Sequence, residues 1–178
     1  MHKARRATSE DSKRIAEIQV EGWKAAYRGI IPDDFLDAME PEKRRSFWDQ
    51  QVRDECGDMF VAVADREVTG FCHLIPSRDA DGEGMSEIAA IYVDPSAWRQ
   101  GCGRSLCDAA LASAFQHDSP WVTLWVLADN CFGRRFYEAM GFLADGATKS
   151  EDRPGFNLEE VRYRIDPRRS EQVVRSND

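Results

Sequence analysis

The chain reads as an α/β protein whose helices pack on one mixed sheet, and three observations predict it. Apolar residues at helical spacing alternate with short apolar runs bounded by turn residues. Their order is helices, three strands, helix, strand, helix and two strands, with no repeat and no linker. The 178 residues, 42% hydrophobic and 31% charged, suit one domain that buries roughly 70% of its unfolded surface. The expectation is a single domain over 1–165 and a polar, mobile tail over 166–178.

The elements follow in order. Thr8-Ser9-Glu10-Asp11 is rich in capping residues and acids, and Ile15, Ile18, Trp23 and Ala26 then recur at helical spacing, so a first helix runs to about Arg28 and stops at Gly29. Pro32 and Pro41 each open a further helical segment, at 33–39 and 42–53. Residues 59–64 and 68–75 form a hairpin about Asp65-Arg66. Residues 77–86 are a loop, 88–93 a buried strand ended by Asp94-Pro95. Gly101-Cys102-Gly103 leads into a helix with Leu106, Ala110 and Ala114 inward. A strand at 121–127, a helix at 130–140 capped by Gly141, and strands at 142–147 and 158–165 complete the pattern.

Composition excludes several classes. No run approaches the ~18 apolar residues of a membrane helix, and the basic start Met1–Arg6 has no apolar h-region after it, so the expected location is the cytoplasm. Cys56, Cys72, Cys102, Cys107 and Cys131 are odd in number and contain no C-x-x-C pair, which points to free thiols and to no metal site. A formal net charge of −8 opposes nucleic-acid binding. The same charge either draws in a cationic amine or serves solubility alone.

The densest chemistry lies between Ile88 and Arg104. A strand ends, a loop turns, and Gly101-x-Gly103 opens a helix. Glycines let the backbone approach a ligand closely, and first-turn N–H groups carry partial positive charge, so a pyrophosphate can be held by main-chain hydrogen bonds. Arg99 and Arg104 add charge at the rim. The run is neither a Walker loop nor a full dinucleotide fingerprint, since Leu106 stands where a third glycine belongs. Taken alone, it is equally a tight strand-to-helix turn.

This stretch resembles motif A of the GNAT superfamily of N-acetyltransferases, Gln/Arg-x-x-Gly-x-Gly/Ala after a strand. Downstream, Leu124-Trp-Val-Leu-Ala-Asp-Asn-Cys-Phe-Gly-Arg-Arg-Phe-Tyr-Glu-Ala-Met-Gly-Phe142 is similar to the same superfamily's motif B. Two such motifs in the right order are far more specific than either. The likeness is strong from Glu87 to Phe142 and looser over the hairpin. The first position of motif A is Trp98 here, where the family has Gln or Arg. Backbone amides do much of the family's phosphate binding, so binding is expected to survive this change.

The resemblance implies a GNAT-like, mostly antiparallel mixed sheet of six to seven strands flanked by about four helices. It implies acetyl-CoA as cosubstrate, held between the strands at 88–93 and 121–127, and direct transfer to a primary amine in a ternary complex; homodimers are common in the family, while the sequence leaves the oligomeric state open. Arg99, Gln100, Gly101, Cys102, Gly103, Arg104 and Ser105 would bind the pyrophosphate, and main-chain groups of Ile91, Tyr92 and Val93 the pantetheine arm. Asn130 would bond that arm, or serve as a helix N-cap. Tyr137 takes the place of the family's general acid for the departing thiolate; its other reading is a packed aromatic. Glu87 is the candidate general base, or a strand-end carboxylate. The family's alternative glutamate position is Trp125 here, and His73 reads as a strand histidine. Trp23 and Tyr27 wall the acceptor site or form a core pair, and Cys102 is a small filler. The rival functions are an acyl-CoA-binding or sensing domain without catalysis, and a structural module.

Overall fold

The computed structural model describes residues 2–53 and 57–168. Cys56 and most of the expected tail, residues 169–178, lie outside the described residues. One seven-stranded sheet has the order β1-β2-β3-β4-β5-β7-β6. Its strands are β1 (Lys3–Arg6), β2 (Asp58–Ala64), β3 (Glu67–Pro76), β4 (Ser86–Val93), β5 (Val122–Leu127), β6 (Leu143–Arg153) and β7 (Phe156–Ile165). Five helices accompany it: α1 (Ser12–Ala26), the single-turn α2 (Asp33–Asp37), α3 (Pro41–Arg53), α4 (Cys102–Gln116) and α5 (Cys131–Ala139). The mixed sheet expected from the sequence is present, with β1 as an addition. Lys-Ala-Arg-Arg shows no apolar alternation; it becomes a strand by pairing antiparallel with β2, from Lys3↔Val63 to Arg6↔Phe60. Its cations suit a sheet edge, where charge discourages pairing with another chain. Arg6 covers the Phe60 ring at 4.8 Å.

Contacts sort the chain into two compact units, Met1–His73 with Ala90–Ala109, and Leu74–Ala89 with Ala110–Asp178. In the first, α1 begins where Thr8 and Asp11 form a capping box around a short 3-10 turn. Its Ile15, Ala16 and Ile18 form a core with Trp48 of α3, Met59 and Val61 of β2, and Phe71 of β3. A polar bond at that core runs from Trp48 Nε1 to Gln19 Oε1 at 2.9 Å, which satisfies a buried indole N–H. Asp65 and Arg66 both adopt positive φ, 50° and 72°, as a two-residue hairpin turn requires. Helix α1 ends at Ala26, slightly before Gly29.

In the second unit, β4 pairs in parallel with β5 at Ser86↔Val122 and Glu87↔Thr123. Strand β5 pairs antiparallel with β7 along its whole length. The β6–β7 hairpin is longer than its sequence suggests, because β6 is polar and exposed and carries no alternation signal. Helix α5 ends on Gly141 at φ 91°, with the Phe142 N–H donating to the Tyr137 carbonyl at 3.0 Å.

Candidate active site

The first unit carries the glycine loop. Strand β4 ends at Val93, and Asp94 caps a 3-10 turn by accepting from Ser96 N at 2.8 Å and Ser96 Oγ at 2.6 Å. Arg14 of α1 pairs with the same carboxylate. Burial alone would raise the Asp94 pKa, but the Ser96 hydrogen bonds and Arg14 outweigh it, and the group lies below the usual carboxylate value. Arg99 (φ 60°) and Gly101 (φ 86°) are both left-handed, so the chain doubles back just before α4. For Arg99 this conformation is strained, since only glycine adopts it freely. Gly101, Arg99, Gln100 and Arg104 are exposed at the start of α4. Neither Arg99 nor Arg104 has a carboxylate at ion-pair distance among the described residues, so both cations stay available to an anion.

Trp98 shows what replaces the motif's usual polar residue. Its Nε1 donates to the Val93 carbonyl at 2.9 Å while its ring stays 43% exposed, so the side chain latches the loop to the end of β4. Gln100 Nε2 makes a second latch to the Ser96 carbonyl at 2.8 Å. The loop is thus tied down by its flanks. Cys102 is buried, and burial pushes its thiol pKa up, against an opposing hydrogen bond with Thr69 Oγ1. A thiol in that state is a filler, not a nucleophile. Sequence reasoning missed Gly70 beneath it: a Cβ there would lie 2.8 Å from Cys102 Sγ and 3.0 Å from both Leu106 Cδ1 and the Tyr92 carbonyl. A glycine inside a strand pattern is the available signal for such a close approach.

Also in the first unit, Trp23 and Tyr27 meet edge to face with centroids 5.1 Å apart, and Phe35 lies 6.5 Å from Trp23. At Gly22 the helix α1 comes close to β4, where a Cβ would stand 3.4 Å from the Tyr92 ring and 3.8 Å from the Val93 carbonyl. Tyr92 is half-buried, and its ring is 5.7 Å from Phe71.

The second unit holds the other expected residues. Asn130 Oδ1 accepts from Gly133 N at 2.9 Å, so it caps α5. Tyr137 is half-buried among Phe136 (5.3 Å), Phe142 (5.9 Å) and Tyr163 (6.4 Å). Tyr163 is buried, and its hydroxyl donates to Glu138 Oε1 at 2.7 Å while accepting from Arg134 Nε at 3.1 Å. Arg134 also donates to the Ala128 carbonyl at 3.0 Å, which ties α5 to the end of β5. The pKa of Arg134 is raised, chiefly by its bond to Tyr163. Neither Tyr163 nor Arg134 carries a linear signal for this role.

Glu87, the candidate general base, lies on β4 opposite Thr123 of β5. It is 2% exposed, and Arg78 engages both its oxygens: the Arg78 N–H at 3.1 Å and Nε at 3.2 Å reach Oε2, and Nη2 reaches Oε1. The pair raises the Arg78 pKa, first through the hydrogen bond to Glu87. Beside it on the same loop, Asp79 accepts from Trp125 Nε1 at 3.1 Å. Arg162 joins Asp79 (3.0 Å), Asp81 (2.7 Å) and Asp145 (2.8 Å). Lys149 Nζ stands 4.4 Å from the Trp125 ring centroid. Trp125, at the family's alternative base position, therefore donates a hydrogen bond where a glutamate would accept a proton. His73 packs against Trp48 with centroids 6.1 Å apart. Among the described residues no group of three or more His, Cys, Asp or Glu side chains is gathered as a metal site, and no helix is long and apolar enough to cross a membrane.

Comparison with known proteins places this geometry. Residues 20–142 match the model of the acetyltransferase (GNAT) family. The chain is 31% identical over 127 residues to the uncharacterised N-acetyltransferase YuaI of Bacillus subtilis (strain 168), covering 71% of this chain and 72% of that protein. It is 40% identical over 133 residues to a mycothiol acetyltransferase of Nocardiopsis dassonvillei, covering 68% of this chain but 38% of that longer protein. In fold it is similar to the PaiA N-acetyltransferase of Thermoplasma acidophilum, crystallised with coenzyme A, with a TM-score of 0.69 and 22% identity over 93% of this chain and 99% of that one.

Proposed function

The chain belongs to the acetyltransferase (GNAT) family, and from that premise we propose that it moves an acetyl group from acetyl-CoA to a primary amine by direct attack in a ternary complex. The observation that carries the reading is the loop before α4, with its left-handed Arg99 and Gly101 and its two exposed arginines, neither of which has a carboxylate at ion-pair distance among the described residues. Such a turn offers main-chain donors and positive potential to a pyrophosphate. Gln100, Cys102, Gly103 and Ser105 supply further backbone of that cradle, and Arg99 and Arg104 screen the phosphate charge. Main-chain groups of Ile91, Tyr92 and Val93 run beside the pantetheine arm in the manner of an added strand. Asn130 presents its amide to the same arm while its carbonyl oxygen caps α5.

The chemical step needs a neutral amine, a stabilised oxyanion and a proton for the leaving thiolate. The amine nitrogen attacks the thioester carbonyl, the C–S bond breaks as the tetrahedral intermediate collapses, and Tyr137 gives its phenolic proton to the thiolate; the surplus proton on the attacking nitrogen passes to solvent water, and the Tyr137 phenolate regains a proton from solvent. The aromatic surroundings of Tyr137 keep it fixed and partly dry. We propose that Glu87 clamps Arg78, because its carboxylate is buried and engaged. The amine is then taken up as its free base, so the rate rises with pH until the acceptor is neutral. Trp23 and Tyr27 wall the acceptor.

A screen of amines and peptide N-termini that follows CoA release tests the proposal directly. Release that depends on the acceptor supports it. Thermal stabilisation by acetyl-CoA with no release against any acceptor would reassign the chain to acyl-CoA binding without catalysis, and no stabilisation by CoA at millimolar concentration would leave the fold without this use.

A further inference from the structure

The guanidinium of Arg14 joins three elements of the first unit. Its Nε donates to the Val68 carbonyl of β3 at 3.3 Å, and Nη1 reaches Glu17 and Glu21 of its own helix at 3.2 and 3.4 Å. Nη2 donates to Asp94 Oδ2 at the end of β4, a contact across 80 positions. The two side chains are 34% and 14% exposed, so the pair is screened less than one standing in open water. Asp94 in turn is held from its other sides. Its N–H donates to the Thr69 carbonyl at 2.8 Å, and its Oδ1 takes both hydrogen bonds from Ser96. The Ser96 carbonyl then accepts from Gln100 Nε2, and Gln100 stands between the left-handed Arg99 and Gly101. A continuous run of polar contacts therefore leads from helix α1 to the glycine loop.

We infer that Arg14 is a positioning residue for the cofactor: through Asp94 and Ser96 it holds the glycine loop in the conformation that binds acetyl-CoA. This rests on the acetyl-transfer reading above. Two physical effects act together. A loop that is already ordered loses less conformational entropy when it takes up a pyrophosphate. Without Arg14, moreover, the Asp94 carboxylate would stand unneutralised at the base of a loop that has to accept an anion, and like charge lowers affinity. The pair of Arg5 and Asp11 in the same unit is the contrast. It is bidentate, at 2.7 and 2.9 Å, and it braces the capping box at the start of α1.

The test is the Kd of CoA by calorimetry, which needs no acceptor. Arg14→Met is expected to raise it about ten-fold. Arg14→Lys keeps a charge opposite Asp94 but cannot span Asp94 and Val68 together, and is expected to raise it about three-fold. Arg5→Met removes a comparable pair from the same unit; it should lower the unfolding midpoint and leave the Kd unchanged. In an Asp94→Asn background, where the amide oxygen still accepts from Ser96, Arg14→Met should cost under about two-fold, because its route to the loop is already cut. With an identified acceptor, the loss belongs in the KM for acetyl-CoA and not in kcat. A Kd that neither Arg14 variant moves overturns the inference, as does an equal loss in Arg5→Met or an undiminished one beside Asp94→Asn; acetyl transfer then stands. If Arg14→Met does not fold, Arg14→Lys set against Arg5→Met decides on the same terms. A wild type that binds no CoA at millimolar concentration overturns the acetyl-transfer reading itself, and the inference with it.

Discussion

The two units treat their polar groups in opposite ways. In the first, the loop before α4 is fixed by Asp94, Trp98 and Gln100 at its flanks, while Arg99 and Arg104 are exposed and, among the described residues, have no carboxylate at ion-pair distance. In the second, Arg162, Arg78, Asp79, Asp145, Glu87 and Tyr163 are all engaged by one another or by Trp125, Glu138 and Arg134. Saturated groups hold shape, since a buried charge is tolerable only when paired. Unsaturated groups are where a ligand has something to gain. The comparison predicts that damage to the loop shows as lost cofactor affinity, and damage to the network as lost stability, with Tyr137 as the exception that affects rate.

The largest expected effect is on rate. Tyr137→Phe should lower turnover on an identified acceptor about 10³-fold, roughly 4 kcal/mol, and leave the acetyl-CoA Kd by calorimetry unchanged. Unchanged turnover removes the general-acid role.

Next comes Arg162→Met. Asp145 and Asp79 are 5% and 18% exposed in their side chains, and they would keep charges without the guanidinium. The exposed Asp81 contributes little. Denaturant unfolding should show a loss of about 2–4 kcal/mol. A loss well under 1 kcal/mol would mean that the network is solvated decoration.

Glu87→Gln follows, with a stability loss of about 1–2 kcal/mol from a weakened clamp on Arg78 and a turnover loss below about ten-fold. A fall of about 10²-fold or more, confined to the acid side of the pH–rate profile, would restore the carboxylate as the proton acceptor.

The smallest effect is at Gly101→Ala. No atom lies within 4 Å of the new Cβ, so only the φ of 86° is penalised. That costs about 1–2 kcal/mol, expected as an increase of about ten-fold in the KM for acetyl-CoA with little change in kcat. An equal fall in kcat would show that the loop does more than hold the cofactor.

Much of this was legible in the chain. The Thr8–Asp11 capping box, the Asp65-Arg66 turn, the Gly141 cap, and the helix following Gly101 are local, each set by residues within a few positions of one another. The glycine loop before α4 and the helix that carries Tyr137 are legible for the same reason. Strand β1 was missed because Lys3–Arg6 has no pattern of its own and depends on β2 for its hydrogen bonds. Gly70 was missed because its importance comes from Cys102 and Leu106, more than thirty residues away. Glu87 stands out in the sequence at the start of its strand, but its environment does not, since Arg78 reads as one more charged loop residue until the loop folds back.

What the sequence determined by itself was the order of elements, the two linked motifs and hence the class of chemistry, because turns, caps and glycine loops are encoded over short spans. Tertiary structure alone decided which polar groups are already employed. Arg162 reaches Asp79 across 83 positions, Glu87 is occupied by Arg78, and Trp23 keeps an N–H that Trp48 has spent on Gln19. Hydrogen-bond satisfaction depends on distance and burial in space, and no spacing along a chain expresses either.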